Sequence, residues 1–278
     1  MDSRVVHSAL PKKIKAKIGR RTVVRRLAEK GYKPERKIQK TDPGPALSVK
    51  RILFGKKNAD KTGEQWKGQL QAVGDMKEFT WYPKALQGKF KRLRAPWTYM
   101  TKKEKKLPAF VRPKRWFPKK EYIKTRKQKV FGISTSTGKS LAFLVPKPWD
   151  SEQWAKEVKK RVVPFFKKAF PGKNSFTILL DGEKLLHAPV AKAAMTAGGI
   201  KIFPGWPKYS PDLNPQENVW AWAEPALRKS EAANDSFEVF QKKTLKAVLA
   251  YPATVKLIPS MARRCKAVVD RRGAMLDN

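Results

Sequence analysis

The chain has 278 residues, 41% of them hydrophobic, and carries 63 Lys and Arg against 23 Asp and Glu, a net charge of +40. That suffices for one large core or two modest domains, and the charge calls for a polyanionic partner, nucleic acid before a membrane surface. A single cysteine, Cys265, and two histidines, His7 and His187, exclude an internal disulfide, a cysteine-based zinc site and a histidine-rich metal site, and no apolar run approaches the ~20 residues that span a bilayer.

Residues 1–34 read as a basic helical stretch. Val23, Val24 and Leu27 fall at helical spacing, with Gly31 placed as a cap and Pro34 as a stop. Arg20, Arg21, Arg25 and Arg26 crowd the remaining surface, which suits a helix-turn-helix recognition element and equally a solvated charged helix. The first thirty residues lack the apolar stretch of a secretory signal.

Residues 35–62 mix Pro, Gly and Lys and read as a linker. The main domain is expected over 63–235. It opens with a hairpin whose first strand, "QLQAVGD", ends at Asp75 and whose second is "EFTWYP". Residues 84–129 form a basic insertion with 18 Lys and Arg against Glu104 and Glu121, interleaved with aromatic residues that include Trp97, Tyr99, Phe110, Trp116, Phe117 and Tyr122. Lys91, Arg92, Arg94, Arg112, Lys114 and Arg115 are candidate phosphate contacts, and Trp97 and Trp116 candidate platforms for exposed bases. The same aromatics would equally anchor the insertion to its own core.

Two strands follow around Gly138, "VFGIST" and "SLAFLVP". Asp150–Phe170 reads as an amphipathic helix with Ser151 as N-cap and a kink at Pro164. "SFTILLD" is a buried strand ending at Asp181. A short helix over 188–198, the strand "IKIFP", a proline-rich turn and a helix over 217–228 come next, and 236–278 reads as a helical extension. Such alternation predicts a mixed α/β domain with a central sheet.

Asp75 and Asp181 close apolar strands, and Glu217 lies near a helix start. Strand ends and helix starts meet on one edge of an open sheet. Carboxylates gathered there repel one another, and a hard divalent cation relieves the repulsion. Two such ions activate an attacking oxygen and stabilise a leaving one in phosphodiester chemistry. Any one of these acids, taken alone, is as well read as a turn residue or a cap.

"WPKYSPDLNPQENVW" (206–220) resembles the signature around the third acid of mariner-type DDE transposases. Matched position by position, Glu217 takes the place of the catalytic glutamate, while Asp212 is an acid of the turn and not a metal ligand. "TILLDGEKLLHAP" resembles the strand of the second acid, Asp181, and "LQAVGDMKEFTW" that of the first, Asp75. "IGRRTVVRRLAEKGYKPERK" is similar to the family's second helix-turn-helix, and "SMARRCKAVVDRRGAML" to its C-terminal end. The resemblance implies a ribonuclease-H-like fold, Mg2+ or Mn2+ held by Asp75, Asp181 and Glu217, DNA cleavage and strand transfer, DNA as partner, a homodimer, and action in the nucleus. Against the family pattern, Gly182 stands where an asparagine commonly follows the second acid, Met76 where an acid often follows the first, and His187 lies six rather than five positions after Asp181. The chain has room for only one helix-turn-helix. Two other readings stay open. One is a captured derivative that no longer cuts and serves among the proteins of a ribonucleoprotein, binding rRNA or other RNA, as in a ribosome of the mitochondrion. The other is a DNA-binding regulator.

Overall fold

A computed structural model describes residues 20–30, 33–36, 44–81, 97–100, 126–230 and 235–276. The chain divides into two units, one from residues 1–41 and 82–125, the other from 42–81 and 126–278.

In the first unit, helix α1 (Arg20–Glu29) precedes strand β1 (Lys33–Arg36). Pro34 therefore lies inside a strand, which pairs antiparallel with β3 (Trp97–Met100). Arg25 and Arg26 on α1 are exposed and reach Glu29 at 3.7 and 2.9 Å. The expected cap Gly31 lies outside the described residues.

The second unit begins where a linker was expected. Pro45 starts helix α2 (Pro45–Asn58), since its fixed backbone angle suits the first helical turn. The Pro and Gly that read as loop punctuation are thus a helix start. Gly55 lets α2 lie tightly on the last helix: an added Cβ would sit 2.9 Å from Val269 Cγ2 and 3.0 Å from the Cys265 carbonyl. Thr62 and Gln65 form a reciprocal capping box ahead of α3 (Gly63–Gln69).

Strand β2 (Ala72–Trp81) is one unbroken ladder and not the expected hairpin. Its antiparallel partner is β4 (Arg126–Thr135), in register from Ala72↔Thr135 to Trp81↔Arg126. Gly74 is paired on both sides and packs under Leu180 and Ile178. The last four residues of the 84–129 segment, 126–129, belong to this ladder, where Lys127 reaches Glu78 at 2.6 Å. β5 (Ser140–Leu144) extends the antiparallel side after the turn at Gly138, whose φ of 86° favours glycine. β6 (Phe176–Leu180) and β7 (Ile200–Ile202) run parallel to β2, giving the order β5-β4-β2-β6-β7.

Helices cover both faces. α4 (Ser151–Glu157), a wider π turn (Val158–Val162) and α5 (Val163–Ala169) make one near-continuous rod. Asp150, rather than Ser151, is its N-cap, accepting from the Gln153 amide at 2.8 Å. The Val163 amide reaches back five residues to Val158 O, so the wide turn absorbs the hydrogen bond that Pro164 cannot donate. Together with α6 (Pro189–Ala197), this rod buries Phe131, Trp154, Phe166 and Ile178 against one face. The other face carries two clusters. Val73, Leu179 and Phe54 pack with α9 (Ser260–Asp270), and Phe79 and Val130 with α7 (Gln216–Ser230) and α8 (Phe237–Leu249). The domain is the mixed α/β, ribonuclease-H-like fold that the sequence predicts. Among the described residues no helix is long and apolar enough to cross a membrane.

Candidate active site

The parallel pairing of β2 and β6 sets the first two acids. The register runs Ala72↔Ile178, Val73↔Leu179 and Gly74↔Leu180. Asp75 and Asp181 are each the next residue after the last pair, so both leave neighbouring strands at one level. Asp75 does not end its strand, as the sequence suggested. β2 continues past it because β4 remains as a partner after β6 has stopped.

Helix α7 brings the third acid. Glu217 is its second residue, and Trp220, almost one turn on, lies against β2. The Trp220 indole Nε1–H donates to Asp75 Oδ2 at 2.9 Å, and the ring meets Phe79 edge to face at 6.1 Å. Directly across from Asp75 on β4 stands Gly132. A Cβ there would come within 2.6 Å of Trp220 Cη2 and 2.8 Å of Gln216 Nε2, so only glycine leaves room for the indole beside the acid. Among the described residues the Gln216 side-chain amide finds no hydrogen-bond partner in this crowded, buried corner.

The three acids feel one another. Burial pushes the Asp75 carboxyl up to about 7; the Trp220 bond opposes this, the Glu217 carboxylate adds to it, the Met76 amide opposes it, and Asp181 adds a little more. Glu217 is also raised, by burial first and by Asp181, with Lys77 and Arg264 pulling it down. Glu183 is raised by burial and by Asp181, against Lys129. Asp181 itself is exposed and accepts from the Gly182 amide at 2.7 Å. His187 Nε2 donates to the Asp181 backbone carbonyl at 2.8 Å, so it ties the turn after the strand and leaves the carboxylate alone. Among the described residues no three acidic, imidazole or thiol groups already converge as a ligand set. The chemistry of the donors nevertheless fits a hard divalent cation: three carboxylates, of which Asp75 and Glu217 are partly buried and each raised by burial and by a neighbouring carboxylate. Asp75, Asp181 and Glu217 are the residues that would hold it.

A buried ion pair aims α7. Arg51 on α2 is 0% exposed and Asp212 3%. Arg51 Nη1 and Nη2 donate to the two Asp212 carboxylate oxygens at 2.8 and 2.5 Å, and its Nε to the Gly273 carbonyl at 2.8 Å. Asp212 also accepts the Leu276 amide at 2.8 Å, while Arg264 from α9 donates to the Asp212 carbonyl and to Asn218 Oδ1. Asn214 Oδ1 accepts the Gln216 amide at 3.1 Å and caps the start of α7. The turn acid thus ties α2, α9 and the C-terminal segment to the residues just before Glu217. Nothing in the sequence distinguished Arg51 from the other basic residues, and Trp220 stood in the quoted motif only as a packing residue.

Arg20, Arg21, Arg25 and Arg26 lie on α1, and Trp97 opens β3. Lys91, Arg92, Arg94, Arg112, Lys114, Arg115 and Trp116 lie outside the described residues. Cys265 is buried, and burial pushes its thiol up to about 12, so it is no nucleophile.

A family profile described as DDE superfamily endonuclease matches residues 101–239, which include Asp181 and Glu217. Over 68 residues the chain is 40% identical to the Tc1 transposase of Caenorhabditis elegans and 38% identical to the Tcb1 transposase of Caenorhabditis briggsae. Each match covers 24% of this chain and 25% of the relative, so the chain spans about a quarter of the length of the curated relatives it matches. Among solved structures, the catalytic domain of Mos1 mariner transposase superimposes with a TM-score of 0.55 at 12% identity, covering 86% of this chain and all of that one. The Mos1 paired-end complex with a left transposon end gives 0.60 at 16% identity, over 99% of this chain and 79% of that one. A Mos1 paired-end complex with Mn gives 0.60 at 15%, over 94% and 73%. At these identities the likeness is one of fold.

Proposed function

We propose, for a chain that belongs to the DDE superfamily endonucleases, that it is a mariner-type transposase cutting and joining DNA strands with Asp75, Asp181 and Glu217 as ligands of divalent metal. The observation that carries this is the level placement of Asp75 and Asp181 after the Gly74↔Leu180 pair, with Glu217 inside the field of Asp181. Mg2+ or Mn2+ bound there would supply the polarising charge for attack on a phosphodiester. The chain's own residues hold and orient. Trp220 fixes one oxygen of Asp75, and Lys77 and Arg264 draw Glu217 toward its charged form. The Arg51–Asp212 pair keeps the start of α7 in place. Asp75, raised to about 7, holds a proton through much of the neutral range and gives it up when a cation arrives.

The neighbours described as paired-end complexes with a transposon end, and those described with Mn, support DNA as substrate, a dimer of this chain and metal dependence. The relatives and neighbours above are all transposases, and nothing among them supports the ribonucleoprotein alternative. The test is nicking of supercoiled DNA by purified protein with Mn2+ or Mg2+. The wild type is expected to nick and Glu217→Gln to bind DNA without nicking. No nicking with either metal, or equal nicking by the variant, would overturn the reading.

A further inference from the structure

Beside the acids lies a cleft of about 600 Å³ that none of the roles above uses. It sits at the carboxyl ends of the parallel strands β6 and β7, floored by Leu180 and Ile202, where open α/β sheets receive ligands. Its mouth reaches Gly182, the residue after Asp181. Phe203 and Trp206 supply aromatic lining, with Trp206 itself steadied edge to face on Phe54 at 5.4 Å. Lys184, Lys192 and Lys208 stand around it, all exposed, and among the described residues no acid lines it. The lysines come from three places in the fold: the turn after β6, helix α6, and the loop after β7.

An apolar, aromatic floor with a cationic rim takes a ligand that has a flat hydrophobic part and an anionic part. We infer that the cleft binds one unpaired nucleotide of the DNA strand beside the cutting acids, its base on the Phe203–Trp206 side and its phosphate among the three lysines. A base inside a duplex is covered by its neighbours, so only an unpaired or extruded one reaches such a floor. The cleft has the volume for a nucleotide with room to spare. This inference rests on the reading of the acids as a DNA-cutting site, which sets the strand next to the cleft.

The test is a binding experiment in EDTA, so that it does not depend on cutting. The full chain is titrated with a blunt DNA duplex and with the same duplex carrying a one-nucleotide 3′ overhang of 2-aminopurine. The overhang duplex is expected to bind about tenfold more tightly, in line with the contribution of one stacked base, and its fluorescence to change on binding. Lys192→Ala with Lys208→Ala is expected to remove most of that preference while affinity for the blunt duplex changes by less than about threefold. Both side chains are exposed, so the folded state is retained, and circular dichroism checks it. Equal affinity for the two duplexes in the wild type, or a preference unchanged in the double variant, overturns the cleft assignment. Failure to bind either duplex overturns the DNA reading itself, which is a separate outcome.

Discussion

Asp75 makes a quantitative demand on metal binding. Its carboxyl is pushed up to about 7, chiefly by burial and further by Glu217 and Asp181. A ligand must lose its proton before it can bind a cation, so apparent affinity follows the deprotonated fraction. With a pKa of about 7 that fraction is ~0.9 at pH 8 and ~0.09 at pH 6. The affinity for Mn2+ is therefore expected to fall about tenfold over those two units, equivalent to ~1.4 kcal/mol, and to level off above pH 8. Isothermal titration calorimetry at the two pH values measures it, and repeating the titration in buffers of different ionisation enthalpy counts the proton released. The metal-free stability carries the same sign. Because the folded pKa lies above the ordinary aspartate value of 3.8, the folded state binds the proton more tightly than the unfolded chain. The stability that Asp75 contributes is then fully present below about 4 and is lost as pH rises through about 7, a component of the pH slope that Asp75→Asn should remove in urea titrations. An affinity equal within twofold at pH 6 and pH 8, or a stability slope that survives in Asp75→Asn, would refute the assignment of the raised group to Asp75.

Trp220→Phe keeps the ring contact with Phe79 but removes the donor to Asp75, so the pH midpoint of Mn2+ binding should move upward and affinity at pH 7 should drop, read by the same calorimetry. Gly132→Ala places a carbon where the Trp220 ring and the Gln216 amide already are; a loss of about 1–3 kcal/mol in urea titrations is expected, with slower nicking, and wild-type stability would contradict the crowding. Arg51→Met leaves the Asp212 carboxylate buried without its cation and should cost about 3–5 kcal/mol, measured by urea unfolding. The double variant Arg51→Met with Asp212→Leu should recover a large part of that loss, and no recovery would show that the two side chains act separately.

The central sheet was largely legible because its strands are short apolar runs with glycine and proline at their ends, as at Phe176–Leu180 and Ser140–Leu144. β2 was not, because an acid after an apolar run, Asp75, reads locally as a strand end. What keeps the strand extended is pairing with partners 45 to 63 positions away on β4 and 106 positions away on β6, and no local window contains that. α2 was missed for a related reason: its start is written in Pro and Gly, and its support comes from Phe54 and Gly55 meeting a helix two hundred residues later and from Arg51 pairing with Asp212, 161 residues on. The strand ends and the proline-rich motif single out Asp75, Asp181 and Glu217 as candidates. Their geometry could not be read there, since the level of Asp75 with Asp181 is a matter of strand register. The tie from Trp220 to Asp75 depends on how α7 crosses the sheet, and only the chance of an indole one turn after Glu217 hinted at it.

The ladder of β2 and β4 ends on the pair Trp81↔Arg126, so residues 82–125 depart and return at a single rung. Closing a loop from one rung depends only weakly on its length, at roughly 0.6 kcal/mol per doubling. Six rungs separate that exit from the one that sets Asp75 opposite Gly132. Descendants of this chain can therefore lengthen, shorten or recharge the inserted segment as an exchangeable cassette without disturbing the register of the acids.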